Sequence, residues 1–315
     1  MDILVTGGAG FIGSHLIDAL RAEGHRVVCV DDLSLGRREH IAHHIGSSDF
    51  EFVKLNLLDE PALDALCATR HFDCVFHLAA NSDIQEGATH LRVDLEKTFL
   101  TTFVTLSCMQ RHGIRQVLFA SSSAVYGERT TALREDSGPL LPISFYGAAK
   151  LAAEAYLSAF CENFDMQAWI FRFPNVVGER ATHGVLFDFI TRLYENPREL
   201  RILGDGTQEK PYLYVKDLVA AMLFIWKHAH GKINCFNIGV ESTTTVSRIA
   251  DIVVEEMGLR GVRYVYTGGD RGWTGDVPRF FYDLEKIKRL GWKPSKTSDE
   301  AIRHAVRAML GKKRE

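Results

Sequence analysis

Three things are scarce in this chain, and each scarcity excludes a class of protein. Basic charge is not in excess: 37 Lys and Arg stand against 40 Asp and Glu, a formal charge of −3. A protein that grips nucleic acid through its phosphates normally carries a basic surplus, so no nucleic-acid partner is expected. Two or three cationic side chains would still suffice for a small anionic ligand. Long apolar runs are also missing. None nears the roughly 20 residues that span a bilayer, so no membrane partner is expected. Cysteine is sparse and unpaired in sequence: Cys29, Cys67, Cys74, Cys108, Cys161 and Cys235 are scattered, without a C-x-x-C pair. Most have apolar neighbours and read as reduced core thiols of a cytoplasmic protein, with no metal site expected. The opening Met-Asp-Ile-Leu-Val-Thr-Gly-Gly has no basic leader and enters a strand at once, which agrees with that compartment.

What is present is an alternation of short apolar runs and helical periodicity. Ile3–Thr6, Val27–Val30, Glu51–Leu55, Cys74–Leu78, Gln116–Ala120 and Gln167–Phe173 read as strands. Their runs are continuous, as expected of parallel strands buried on both faces. Phe11–Glu23, Pro61–Thr69, Asp94–His112 and Phe145–Asn163 read as helices. The fold class is therefore α/β, a doubly wound parallel sheet of the Rossmann type with a smaller C-terminal substrate domain. The rhythm changes after about Pro174. Tyr212–His228 (a buried helix) and Cys235–Ile238 (a strand) are expected to return to the first unit. That divides the chain into residues 1–172 plus about 212–238 for the cofactor, and about 173–211 plus 239–315 for the substrate. The charged tail 311–315 reads as frayed.

Gly7, Gly10 and Gly13 follow the first strand and open a helix. Without Cβ atoms such a loop turns tightly and lets a pyrophosphate reach the backbone at the helix N-terminus. Phe11 and Ile12 lie inside it. Asp31 follows the second strand, 18 residues after Gly13, where a carboxylate accepts ribose hydroxyls and repels a 2′-phosphate. The cofactor expected is NAD. Asn56 and Leu57 follow the third strand, the Asn facing adenine or forming a turn. Leu78, Ala79 and Ala80 end the fourth, where small residues let backbone pass close to a cofactor. His77 reads as a satisfied buried histidine.

Tyr146 and Lys150 stand at i and i+4 on one helical face. A neighbouring ammonium is expected to depress the phenol pKa from about 10 toward neutrality and make it a general base for a hydroxyl. Ser122, in the Ser-Ser-Ser-Ala-Val-Tyr-Gly run after the fifth strand, sits at the sheet edge where α/β ligands bind.

Together these residues resemble the extended short-chain dehydrogenase/reductases of the nucleotide-sugar epimerase/dehydratase family, over nearly the whole chain. The resemblance implies a catalytic set of Ser122, Tyr146 and Lys150, and an NAD site built on the glycine loop and Asp31. It implies a nucleotide-diphosphate sugar as substrate, contacted by Ser122, Ser123, Asn175, Lys210 and Arg271. Lys210 fills a slot that is usually Arg, and Gly272-Trp273-Thr274 lengthens the stretch after Arg271. Val177, Val185 and Phe187 are expected at the sugar or base pocket. The implied chemistry is hydride transfer from sugar C4 to give a 4-keto sugar. Dehydratases of the family carry an Asp-Glu pair where this chain has Ser123 and Ala124, so 4-epimerisation is favoured. Glu128 and Glu135 read as surface carboxylates. A 4-dehydrogenase, a 4,6-dehydratase and a non-catalytic NAD-binding scaffold remain as alternatives. In the family the helices corresponding to Asp94–His112 and Phe145–Asn163 commonly pair about a two-fold axis, so a homodimer is expected.

Overall fold

The computed structural model describes residues 1–311; the rest of the tail, expected to fray, lies outside the described residues. Seven parallel strands form the central sheet: β1 Asp2–Thr6, β2 Arg26–Asp31, β3 Phe50–Lys54, β4 Cys74–His77, β5 Gln116–Ser122, β6 Gln167–Phe173 and β7 Ile233–Asn237. Their order is β7-β6-β5-β4-β1-β2-β3. The strand order reverses between β1 and β4. A crevice opens there at the carboxyl ends of the strands, because the connections leave on opposite sides. β-Branched and aromatic side chains bury both faces. Ile3, Val5 and Phe76 pack into one apolar cluster, and Leu4, Val75 and Phe119 into another on the opposite side.

The main helices are α1 Phe11–Ala22, α2 Glu60–Ala68, α3 Thr101–Arg111, α4 Phe145–Phe164, α5 Val185–Glu195, α6 Val215–His228, α7 Val246–Met257 and α8 Ser298–Met309, of which α5, α7 and α8 pack together away from the sheet. Ser144 caps α4, its hydroxyl accepting the Gly147 amide at 3.1 Å. α1 has no side-chain cap, since its N-cap is Gly10. Its first-turn amides therefore face the crevice.

Two expectations are corrected. The helix expected over Asp94–His112 is broken by a π-helical stretch, Leu95–Leu100. Threonine hydroxyls compete for the carbonyls of the preceding turn around it: Thr101 Oγ1 donates to Lys97 O at 2.9 Å and Thr102 Oγ1 to Thr98 O at 2.7 Å. The helix expected from Tyr212 begins only at Val215. Tyr212–Tyr214 is a strand paired in parallel with Asn175–Val177 outside the central sheet. A third apolar cluster joins Val177, Leu186, Leu200, Tyr212, Ile249 and Ile302.

Candidate functional site

One cleft of about 810 Å³ lies over the carboxyl ends of the strands. Gly7, Gly10, Phe11, Ile12, Gly13, Asp31, Asn56, Leu57, Leu78, Ala79, Ala80, Ser122, Ser123, Tyr146, Lys150, Asn175 and Lys210 all line it, as do Val177, Val185 and Phe187. Residues far apart in sequence are brought to one cavity.

At the glycine end the backbone is crowded. Gly7 has φ +67°, and a Cβ there would stand 2.7 Å from Ala79 N. A Cβ on Gly13 would stand 2.2 Å from Gly7 O. Loop and β4 terminus thus touch through bare backbone, and no side chain covers the amides of α1. Asp31, buried beside this cradle, accepts the Ala9 amide at 3.0 Å and the Leu33 amide at 2.8 Å. Burial raises its carboxyl pKa, and those amide bonds oppose the rise. Asp32 forms a turn, accepting Ser34 N at 2.8 Å. Arg38 lies 6.0 Å over the Phe52 ring, and neither it nor Arg37 lines the cleft. An open helix N-terminus, a glycine cradle and a single carboxylate at the ribose position fit a dinucleotide without a 2′-phosphate.

Asn56 accepts the Leu58 amide at 3.0 Å while lining the cleft, so both of its expected roles are compatible. His77 is satisfied on both nitrogens: Thr6 Oγ1 lies 2.8 Å from Nδ1 and Thr102 Oγ1 lies 3.0 Å from Nε2. Burial holds its pKa down at about 3, which leaves a neutral ring.

At the other end of the cleft the phenol of Tyr146 faces the Ser122 hydroxyl. Here the expectation of a depressed phenol pKa is corrected. Burial pushes Tyr146 up to about 12, opposed by Ser122 and reinforced by the Asp94 carboxylate. Lys150 does not aim at the phenol oxygen. Its Nζ donates to Ala120 O at 2.6 Å and lies 4.7 Å above the Phe119 ring. Burial lowers the Lys150 ammonium to about 7. Beneath both, Arg172 pairs with Glu154 at 2.6 Å, and Arg172 Nη1 donates to Tyr126 Oη at 3.0 Å. This buried network fixes α4 against β5 and β6.

The cations assigned to the substrate are already engaged. Lys210 pairs with the buried Asp276 and lies 5.4 Å from the Trp273 ring. Arg271 is not in the lining. Its Nη1 donates to Asp276 O and its Nη2 to Glu128 Oε2, each at 2.8 Å. Asn175, on its short strand, faces the Tyr212 hydroxyl. Glu135 is half-buried rather than on the surface and accepts the Asn237 amide at 2.8 Å. Sequence reasoning did not single out Gln208 and Trp273, whose buried amide and indole nitrogen line the cleft without protein partners. Their burial inside loops was the only signal, and it is not visible in spacing.

Comparison with known proteins identifies the family. Residues 3–239 match the model of the NAD dependent epimerase/dehydratase family. A UDP-glucose 4-epimerase of Mycolicibacterium smegmatis is 31% identical, with 97% of each chain covered. A solved UDP-galactose 4-epimerase superposes with a TM-score of 0.86 at 38% identity, over 99% of each chain. The UDP-glucose 4-epimerase of Thermotoga maritima, solved with UDP-glucose, gives a TM-score of 0.89 at 30% identity, over 99% of each chain. With the glycine cradle, Asp31 and the Ser122–Tyr146–Lys150 group in one cleft, this chain belongs to the NAD-dependent epimerase/dehydratase family.

Proposed function

We propose that this enzyme interconverts a nucleotide-diphosphate sugar with its C4 epimer. What supports the reading is a hydroxyl–phenol pair, Ser122 and Tyr146, sharing a cleft with a dinucleotide cradle, while Ser123 and Ala124 stand beside it. NAD held at the glycine cradle and Asp31 would supply a reversible hydride acceptor for sugar C4. Tyr146 takes the O4 proton as the hydride leaves and returns it when the hydride arrives on the other face. Ser122 holds O4 by a hydrogen bond during both transfers. Tyr146 keeps its proton in the cofactor-free site and becomes a base when positive charge is brought against its ring. Lys150 reads as the ribose-side donor. Loss of the 6-hydroxyl would need an acid and a base near C5 and C6. Ser123 and Ala124 supply neither, and Glu128 and Glu135 are spent on Arg271 and the Asn237 amide.

The nucleotide end is assigned to Asn175 and Lys210, with Arg271 at the rim. We place the cofactor unit at 1–172 plus about 215–238, moving Tyr212–Tyr214 to the second unit, with whose apolar cluster Tyr212 and Tyr214 pack while Leu213 packs against the first. A homodimer is supported by exposed apolar side chains along α3 and α4. Phe103 and Tyr156 are exposed and touch edge to face at 5.8 Å, and Phe164 is exposed on the same helix as Tyr156.

Proton NMR of UDP-, GDP-, dTDP- and CDP-sugars deuterated at C4 tests the assignment. One substrate should epimerise with its deuterium kept at C4, no solvent deuterium at C5 and no water lost. Tyr146→Phe should slow turnover by at least about 10²-fold without loss of fold. A 4-keto-6-deoxy product would refute the epimerase reading. A 4-keto sugar with its 6-hydroxyl intact, accompanied by accumulating reduced cofactor, would favour the dehydrogenase.

A further inference from the structure

On the flank of the sheet, away from the cleft, α2 packs against α3. Each brings two metal-ligating side chains to the contact. Asp64 and Cys67 stand one turn apart on α2; Cys108 and His112 stand one turn apart at the end of α3. Ligand atoms of Asp64, Cys108 and His112 all lie within 4.8 Å of one another. His112 Nε2 is 3.0 Å from Asp64 Oδ1. The Cys67 thiol lies within hydrogen-bonding reach of the Cys108 thiol, outside that group of three, and would swing in as the fourth ligand. Both cysteines are buried, at 4% and 2% exposure, whereas Asp64 and His112 reach solvent and leave a path of entry. None of the four lines the cleft.

We propose that Asp64, Cys67, Cys108 and His112 bind one divalent transition-metal ion, zinc in preference to magnesium or calcium, and that the ion clamps α2 to α3. Two sulfurs, an imidazole nitrogen and a carboxylate form a donor set that suits tetrahedral zinc and not a hard, oxygen-seeking cation. Binding releases the two thiol protons, leaving two thiolates and a carboxylate around the dication. Arg111, 3.0 Å from Asp64 Oδ1, stays beside the carboxylate and balances the remaining negative charge.

A second cluster, Asp18 with His43 and His44, is a poorer site. It offers no sulfur ligand.

The test uses reduced, chelator-stripped full-length protein titrated with zinc alone, and with cobalt(II) as a spectroscopic probe. The expected result is one equivalent bound more tightly than about 1 µM. Cobalt should give a near-ultraviolet thiolate charge-transfer band. X-ray absorption should count two sulfurs at about 2.3 Å from zinc. Zinc should raise Tm by at least about 3 °C. Cys67→Ser and Cys108→Ser should abolish the band while turnover is unchanged. No binding, a sulfur-free shell, or zinc lost only in His43→Ala would overturn the proposal. The absorption measurement on the natural chain decides the matter if a serine variant fails to fold.

Discussion

Lys150 gives the sharpest quantitative test, because burial has moved it from an ordinary 10.5 to about 7. At about 1.36 kcal/mol per tenfold change, that fall corresponds to about 5 kcal/mol against the charged form. Between pH 7 and 10.5 the unfolded chain holds a proton that the folded chain has released. Stability therefore rises with pH across this window, and the full penalty applies below it. At pH 7.5 about 4 kcal/mol should remain; at pH 9.5, about 1 kcal/mol. Lys150→Met keeps the length of the side chain and removes the charge. It also leaves Ala120 O without its donor, at a cost of about 1 kcal/mol. Guanidinium unfolding without cofactor should find the Met variant more stable by about 3 kcal/mol at pH 7.5. The advantage should vanish or reverse by pH 9.5, and turnover should be poor throughout. A stability difference that does not vary with pH, or a natural protein more stable than the variant at pH 7.5, would refute a strained, buried ammonium at this position.

Two further outcomes are expected. Asp31→Asn should weaken NAD and narrow its preference over NADP. In the natural protein NAD affinity should fall on acidification sooner than for an ordinary carboxylate, because burial raises the Asp31 pKa; calorimetry at several pH values measures both. Glu154→Ala should cost about 3–5 kcal/mol, since it leaves Arg172 buried and unpaired. Denaturant midpoints measure that loss, and a cost below about 1 kcal/mol would mean that Arg172 finds solvent.

The fold was legible wherever burial on both faces left a continuous apolar run. Gln167–Phe173 has the same ends in sequence and structure, and β1 to β5 differ from the reading by one or two residues at an end. The misreadings occur where side chains override periodicity. From Asp94 the apolar pattern is helical, but Leu95–Leu100 winds as a π-helix, with threonine hydroxyls bonding backward along the chain beside it. At Tyr212 the run Tyr-Leu-Tyr continues smoothly into a helix, and only a partner strand some 37 positions earlier makes it a strand. That pairing is long-range and leaves no local mark.

The site divides in the same way. The gathering of the glycines and Asp31 at one end of the cleft was legible because it depends on backbone shape and on position after a strand, both fixed by local chemistry. Electrostatic roles were not, because a pKa depends on where the head group ends. The i, i+4 spacing puts Tyr146 and Lys150 on one face, with the ammonium 5.8 Å from the phenol ring, but its hydrogen bond goes to Ala120 O. The cation slots show the same limit. Lys210 and Arg271 have the residue types a diphosphate requires, yet each holds a carboxylate, Asp276 and Glu128 respectively. The two pairs differ in what they ask of a ligand. Lys210–Asp276 is buried, so a phosphate must share the ammonium with Asp276, and separating the pair would leave a charge uncompensated. Arg271–Glu128 is partly exposed and screened, so the guanidinium can leave its carboxylate at little cost and swing toward a bound phosphate. On the proposed assignment Lys210 would be the fixed cation of the nucleotide end and Arg271 the adaptable one.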